Sequence, residues 1–334
     1  MSEDRLNSKV VDLTFTFDGT HPEPSRFAAD PNDPTRPDPK QHAPKRPMPS
    51  AQVAELVRLG NEKYAGFIQD CREAGGAKKE SIPGLPCHVD NRLFLHKDEA
   101  GIGGITAQEP YTAVLGCIDA RVPIELITGQ AANDTFVIRT AGNTLTGKGE
   151  GSGSLRYILS NYGVGSKGKH PTVSAVFVFG HTRCGAVEAA YEAFKLGGTG
   201  VTGMHESLAN ILLEIKYAVD LVLKGSKGHL TDELQIKNAI SHVNAVLTSV
   251  RMRQMVDEFG LGEGVEVHYG SYHVDDFFLR KTSFEKPTGQ KLGGIIAKKG
   301  IVESLAWDAD AGRLRDDDAQ QALLEDAIDF ANKK

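Results

Sequence analysis

From Thr112 onward the chain alternates short β-branched runs with longer stretches of helical periodicity, and this alternation is the strongest limit on its fold. Strands are expected over 113–116, 135–139, 173–179 and 265–269, and helices after Pro123 and over 155–162, 186–195, 208–223 and 234–259. Strands separated by helices in this order form βαβ units. The expected fold class is therefore α/β, three layers built on a mostly parallel central sheet flanked by helices. No internal repeat interrupts the pattern.

Outside that region the chain changes character. Nine of its fifteen prolines fall between Pro22 and Pro49, among Asp, Arg and Lys, so residues 1–50 are read as a Pro-rich arm with no core of its own. The segment 53–71 sets Val53, Leu56, Val57, Tyr64, Phe67 and Ile68 on one helical stripe, an amphipathic helix that docks on the core or on a partner subunit. Residues 51–275 make the expected catalytic domain, and 276–334 an extension packing on it. In that extension a strand is expected near 301–307. Asp316, Asp317 and Asp318 stand before a terminal helix carrying Leu323, Leu324, Ile328 and Phe330, as a solvated N-terminal cap.

Two short strings close strands in the alternating region. One holds Cys117, Asp119 and Arg121; the other holds His181 and Cys184 between Gly180 and Gly185. In open parallel sheets ligands collect beyond the carboxyl ends of the strands, so strings far apart in sequence can converge there. Two thiolates and one imidazole are enough to bind one metal ion, and the strings supply no obvious fourth Cys or His of the kind a closed structural site has. That combination points to a zinc enzyme.

Composition narrows the setting. The chain has 334 residues, 40% of them hydrophobic, and a formal net charge of -6, which gives no reason to expect a nucleic-acid partner. No run approaches the length of a membrane span, and Met1 to Arg5 lacks the apolar core of a signal peptide, so a cytoplasmic protein with no membrane partner is expected. Of four cysteines, Cys71 and Cys87 are left over and read as ordinary free thiols, which suits a reducing compartment. His205, His242, His268 and His273 receive no role. The stretch 142–149 nearly spells a phosphate-binding loop, which would make a nucleotide-binding module, but Gly149 stands where a hydroxyl would be needed for Mg²⁺.

Taken together, C-x-D-x-R-V-P from Cys117 to Pro123, R-x-A-G-N from Arg139 to Asn143 and G-H-x-x-C-G-A from Gly180 to Ala186 resemble the β-class carbonic anhydrases. The resemblance spans about residues 55 to 275 and includes the helical segment 59–64 and the late strand 265–270. It implies a zinc lyase that reversibly hydrates carbon dioxide to bicarbonate and a proton. Cys117, His181 and Cys184 would be its ligands, with water or Asp119 in the fourth position, and Asp119 and Arg121 its catalytic pair. By the same resemblance Gln108 would hold bicarbonate, and Phe136, Ala141, Gly142, Gly185 and Tyr157 would line the substrate site. It further implies a homodimer or larger homo-oligomer, with N-terminal helices embracing the neighbouring subunit.

The sequence departs from the plant-type pattern at Asn161, where those members carry a proton-moving His four residues after the Tyr matched by Tyr157. Insertions over 147–153 and 165–169 lengthen the path between the two strings. Two thiolates cancel the formal charge of Zn²⁺, so its bound water should stay protonated to higher pH than in a three-histidine site. Arg121 can clamp Asp119 with forked hydrogen bonds, keeping it off the metal while one carboxylate oxygen orients the zinc-bound hydroxide. Hydrolysis of carbonyl sulfide or carbon disulfide on the same zinc site is the alternative chemistry.

Overall fold

The structure, a computed structural model, describes residues 47–74, 108–130, 133–146, 149–168, 171–197, 200–226, 228–261, 263–283, 307–308 and 313–332. Residues 1–46 of the Pro-rich arm, Cys87, the side chain of Cys71 and residues 301–306 of the expected late strand lie outside the described residues.

Strands β1 (Thr112–Cys117), β2 (Thr135–Thr140), β3 (Ala175–His181), β4 (Glu266–Tyr272) and β5 (Leu279–Arg280) form one sheet in the order β2-β1-β3-β4-β5. All pairings are parallel except β4 with β5. Strands β1 and β3 are buried along their whole length, as expected of strands covered on both faces. Successive side chains therefore feed opposite layers. Ala113, Leu115, Val176 and Val178 enter the larger core with helices α3 (Glu150–Tyr162), α4 (Gly185–Phe194), α5 (Glu206–Gly225) and α6 (Glu233–Glu258). Val114, Phe177 and Phe179 enter the smaller one with α1 (Ser50–Ala74) and α2 (Ile124–Ile127). The mostly parallel, three-layer arrangement is the one expected.

Among the element ends that differ from the sequence expectation, two have a local cause. Helix α3 begins at Glu150 instead of 155, because Ser152 is buried and bonds the carbonyl of Gly149 at 2.7 Å, carrying the helix through two glycines that blur its periodicity. Strand β4 runs on to Tyr272, since Ser271 and Tyr272 still have partners on both sides, Gly180 and His181 in β3 and Arg280 and Leu279 in β5.

The stripe on α1 docks on the chain's own core, where Val53 and Val57 meet the layer of Val114 and Phe177. The approach is backbone to backbone: a Cβ at Gly60 would lie 1.9 Å from the carbonyl oxygen of Thr128. Beside it the buried Asn61 amide donates to the carbonyls of Ile127 at 3.2 Å and Phe277 at 3.0 Å, and its oxygen accepts from Leu279 N at 2.7 Å. One side chain thus ties α1 to α2 and to β5.

The terminal helix α7 (Asp317–Asn332) is capped by Asp316, whose Oδ1 accepts from the amides of Asp318 and Ala319. It packs on α6 through Phe330, stacked on His242, and through a buried polar cluster, with Leu323 and Leu324 in the larger core and Leu324 against Gly225 of α5. His242 Nε2 donates to Asp326 at 2.8 Å, its Nδ1 meets the Ser271 hydroxyl at 2.6 Å, and Lys281 bonds Asp326 at 2.9 Å and Asp329 at 2.5 Å. The short hairpin β6 (Trp307–Asp308) with β7 (Arg313–Leu314) precedes α7.

Gly60→Ala should cost about 2 kcal/mol, because the obstacle is a main-chain carbonyl that no rotamer change relieves; urea unfolding of both proteins measures it. Burial alone would raise the Asp326 carboxyl, but His242 and Lys281 bring it down to about 2. A depressed carboxyl adds stability that is present above its unfolded value of 3.8 and lost as pH falls through about 2. Asp326→Asn should therefore flatten the acid limb of the stability curve, removing about 2 kcal/mol at neutral pH, and an unchanged limb would deny Asp326 this role.

Candidate metal centre

The sheet order places β2 on one side of β1 and β3 on the other, so the chain leaves β1 at a topological switch point. Cys117 ends β1 and His181 ends β3, and the turn after β3 brings in Cys184 as the cap of α4. The three ligand atoms lie within 4.8 Å of one another, and all three residues are buried. This is where doubly wound sheets collect ligands.

The donor set fits a zinc ion on geometry and chemistry. The two sulfurs are 3.8 Å apart, well beyond a disulfide. Two bonds of about 2.3 Å at a tetrahedral angle place sulfurs about 3.8 Å apart. His181 Nδ1 donates to the Thr182 carbonyl at 2.9 Å, which leaves the Nε2 lone pair facing the sulfurs, and Nε2 is buried with no protein partner. Such fixing of the tautomer by the other ring nitrogen is the usual arrangement for a metal-binding histidine. The amide of Gly142 points at Cys117 Sγ from 3.4 Å. Hydrogen bonding from Cys184 holds the Cys117 thiol well below the ordinary range, whereas that same bond and burial push Cys184 up.

Asp119 sits beside the cluster, its Oδ2 4.0 Å from His181 Nε2. Arg121 grips it three times: the amide and Nε reach Oδ1 at 2.9 and 3.0 Å, and Nη2 reaches Oδ2 at 2.7 Å. That grip lowers the Asp119 carboxyl to about 2. Arg139 steadies the loop from the other side, donating to the carbonyls of Cys117 at 2.9 Å and Asp119 at 2.6 Å.

The carbonic anhydrase family model matches residues 112–277. A carbonic anhydrase of Mycolicibacterium smegmatis is 30% identical over 173 residues, 51% of this chain and 73% of that one. A carbonic anhydrase of Emericella nidulans is 37% identical over 205 residues, 61% of this chain and 78% of that one. The chain belongs to the β-class carbonic anhydrase family. Among solved structures, a tetrameric β-carbonic anhydrase from Sordaria macrospora is similar at 21% identity with a TM-score of 0.42, covering 52% of this chain and 81% of that one.

The other residues matched to the carbonic anhydrase pattern divide into two groups. Gly142 and Ala141 sit in a one-turn 3-10 segment directly after β2, and Gly185 opens α4 beside Cys184. Gly142 has a positive φ of 64°, and a Cβ there would lie 2.8 Å from Ile215, so this turn needs glycine. Gln108, Phe136 and Tyr157 stand towards the β2 edge instead. Tyr162, which sequence reasoning passed over, links two of them: its hydroxyl donates to Gln108 Oε1 at 2.7 Å and its ring lies 4.9 Å from that of Phe136. Tyr157 is 61% exposed on α3. Asn161 bonds the Tyr157 carbonyl at 2.8 Å. At the start of the near phosphate-binding loop the Gly142 amide is directed at Cys117 Sγ, and Gly147 and Lys148 of that loop lie outside the described residues.

Proposed function

We propose that this chain is a zinc-dependent carbonic anhydrase that reversibly hydrates carbon dioxide to bicarbonate and a proton. The observation that carries the reading is the meeting of Cys117, His181 and Cys184 within 4.8 Å, with the Arg121-gripped Asp119 beside them. Cys117, His181 and Cys184 hold the ion. Zinc there supplies Lewis acidity, making water nucleophilic nearer to neutral pH, less strongly than with three neutral ligands because two thiolates offset its charge.

The chain's own groups orient the reaction. Asp119 Oδ2, on the cluster side, accepts a hydrogen from the attacking water, so that its lone pair faces carbon dioxide. Arg121 keeps Asp119 from turning inward to become a ligand itself. Tyr162 fixes the Gln108 amide with its oxygen occupied, leaving the NH₂ group to donate to a bicarbonate oxygen. Ala141, Gly142 and Gly185 offer the small, weakly polar surroundings that carbon dioxide needs, and Phe136 and Tyr157 extend them towards the β2 edge.

We also infer a homo-oligomer. Among the described residues β2 is an edge strand, and its Phe136, Val137 and Ile138 are only partly buried. Nearby on the surface stand Ile118, 60% exposed directly after a metal-binding position, and Tyr157. No helix among the described residues is long and apolar enough to cross a membrane.

Stopped-flow hydration at mildly alkaline pH tests the activity. Zinc-loaded protein should be active, Cys184→Ser and chelator-stripped protein should not, and Arg121→Ala should lose about a hundredfold or more. Sulfide release from carbonyl sulfide without hydration would move the substrate to sulfur analogues, and parent-level activity in Arg121→Ala would remove the role given to the pair. Light scattering should return a multiple of the 36.0 kDa chain mass; a single-chain mass would refute the oligomer.

A further inference from the structure

Helix α6 is buried all round from Asn238 to Val250, yet it carries polar residues through that stretch. Three of them, Asn238, Ser241 and Asn244, recur at every third position, so they rise along one side of the helix. They are 7%, 1% and 0% exposed. Each bonds the main chain of a segment that builds the metal centre. Asn238 Oδ1 accepts from Arg183 N at 3.0 Å, Ser241 Oγ donates to the His181 carbonyl at 2.5 Å, and Asn244 Nδ2 donates to the Gly142 carbonyl at 2.8 Å.

The helix reaches these segments because Gly180 lets it. A Cβ at Gly180 would lie 2.8 Å from Ala245 Cβ and 3.1 Å from the Ser241 carbonyl, so glycine permits the close approach of β3 to α6. The bonds then divide the work. Arg183 has a φ of 57°, a left-handed conformation that a non-glycine residue keeps only where its surroundings impose it. Asn238 holds the amide of that turn. The turn's carbonyl receives Arg121 Nη2 at 2.9 Å, the same nitrogen that donates to Asp119 Oδ2. Ser241 instead fixes the main chain of a ligand, and Asn244 fixes the turn whose amide meets Cys117.

We propose that α6 is the positioning element of this site: Asn238 acts through Arg183 on the Arg121–Asp119 grip, and Ser241 acts on His181 and hence on metal retention. The inference rests on the metal-dependent reading above. None of the three side chains touches the reacting atoms, and the two roles are separable because Ser241 bonds the carbonyl of His181 itself, whereas Asn238 bonds Arg183, whose own carbonyl meets Arg121.

The test compares parent, Asn238→Ala, Asn238→Asp, Ser241→Ala and Arg121→Ala, each loaded with zinc or cobalt(II). It follows metal transfer to a chromogenic chelator, the cobalt absorption spectrum and thermal melting. Ser241→Ala should release metal about tenfold faster and keep the parent's cobalt spectrum. Asn238→Ala should release metal at the parent's rate while its cobalt spectrum moves to that of Arg121→Ala, as Asp119 turns onto the metal. Asn238→Asp, which keeps the acceptor oxygen, should restore the parent's spectrum. If Ser241→Ala and Asn238→Ala melt lower but share one release rate and one spectrum, the residues only support the fold and the positioning role is wrong. A parent that takes up no metal overturns the site reading itself and this inference with it, whereas a metal-binding parent with unsplit variants overturns this inference alone.

Discussion

The parallel pairing of β1 with β3 is the contact on which the rest of the molecule depends. It aligns Leu115 with Val178, so the two strands finish at neighbouring positions, Cys117 on one and His181 on the other. Because both strands are covered on both faces, their interiors can hold only apolar side chains, and polar chemistry is driven to the strand ends. The chain reverses direction across the sheet at this same pair, β2 lying to one side and β4 to the other. The cleft this opens is lined by turns, and turns can bend close to a small ion. Cys184 reaches it only because the backbone turns sharply at Arg183.

A helix buried on every side has no solvated face on which to place polar residues, so those it carries must be satisfied inside. In α6 four of them bond strands, turns and the terminal helix. Asn238, Ser241 and Asn244 face the turns that carry the Cys-His-Cys cluster, while His242 faces Ser271 and Asp326. Removing such a partner leaves a buried donor or acceptor unmade, which costs more than the bond itself contributes. Polar substitutions within this helix are therefore felt at its neighbours more than within it.

The layers of this fold were legible in sequence because β-branched runs and helical periodicity are local properties. The meeting of Cys117, His181 and Cys184 was legible for a related reason: each string is short and sits at the end of a run. The carbonic anhydrase resemblance joined them. What escaped was whatever depends on residues distant in sequence. Asn238 lies 55 residues from Arg183, and Asn244 lies 102 from Gly142, so no window along the chain shows either bond. Tyr162 is 54 residues from Gln108 and looked like a helix end. The signal available was indirect, a long helical stretch with Asn, Ser, His and Asn interleaved among Ala, Ile and Val and no polar face to explain them. Gly60 gave a similar hint, since glycine inside a helical stripe weakens it unless another backbone must come close.

The electrostatics of the two cysteines argue for a divalent cation independently of any resemblance. Cys117 and Cys184 are buried, and their sulfurs are 3.8 Å apart. Sharing one hydrogen bond in a buried place, the two thiols are pushed in opposite directions, Cys117 down and Cys184 up. Forming both thiolates would set two like charges side by side in a poorly solvated place. The groups around them offset this only in part: Gly142 lends an amide hydrogen, and Arg121 is already committed to Asp119 and the Arg183 carbonyl. A dication between the sulfurs would remove the conflict, and His181 already presents its lone pair there. The same charge balance explains why Asp119 has to be restrained. A third anionic ligand would make the assembly net negative, and the Arg121 guanidinium is the nearby cation that satisfies the carboxylate outside it.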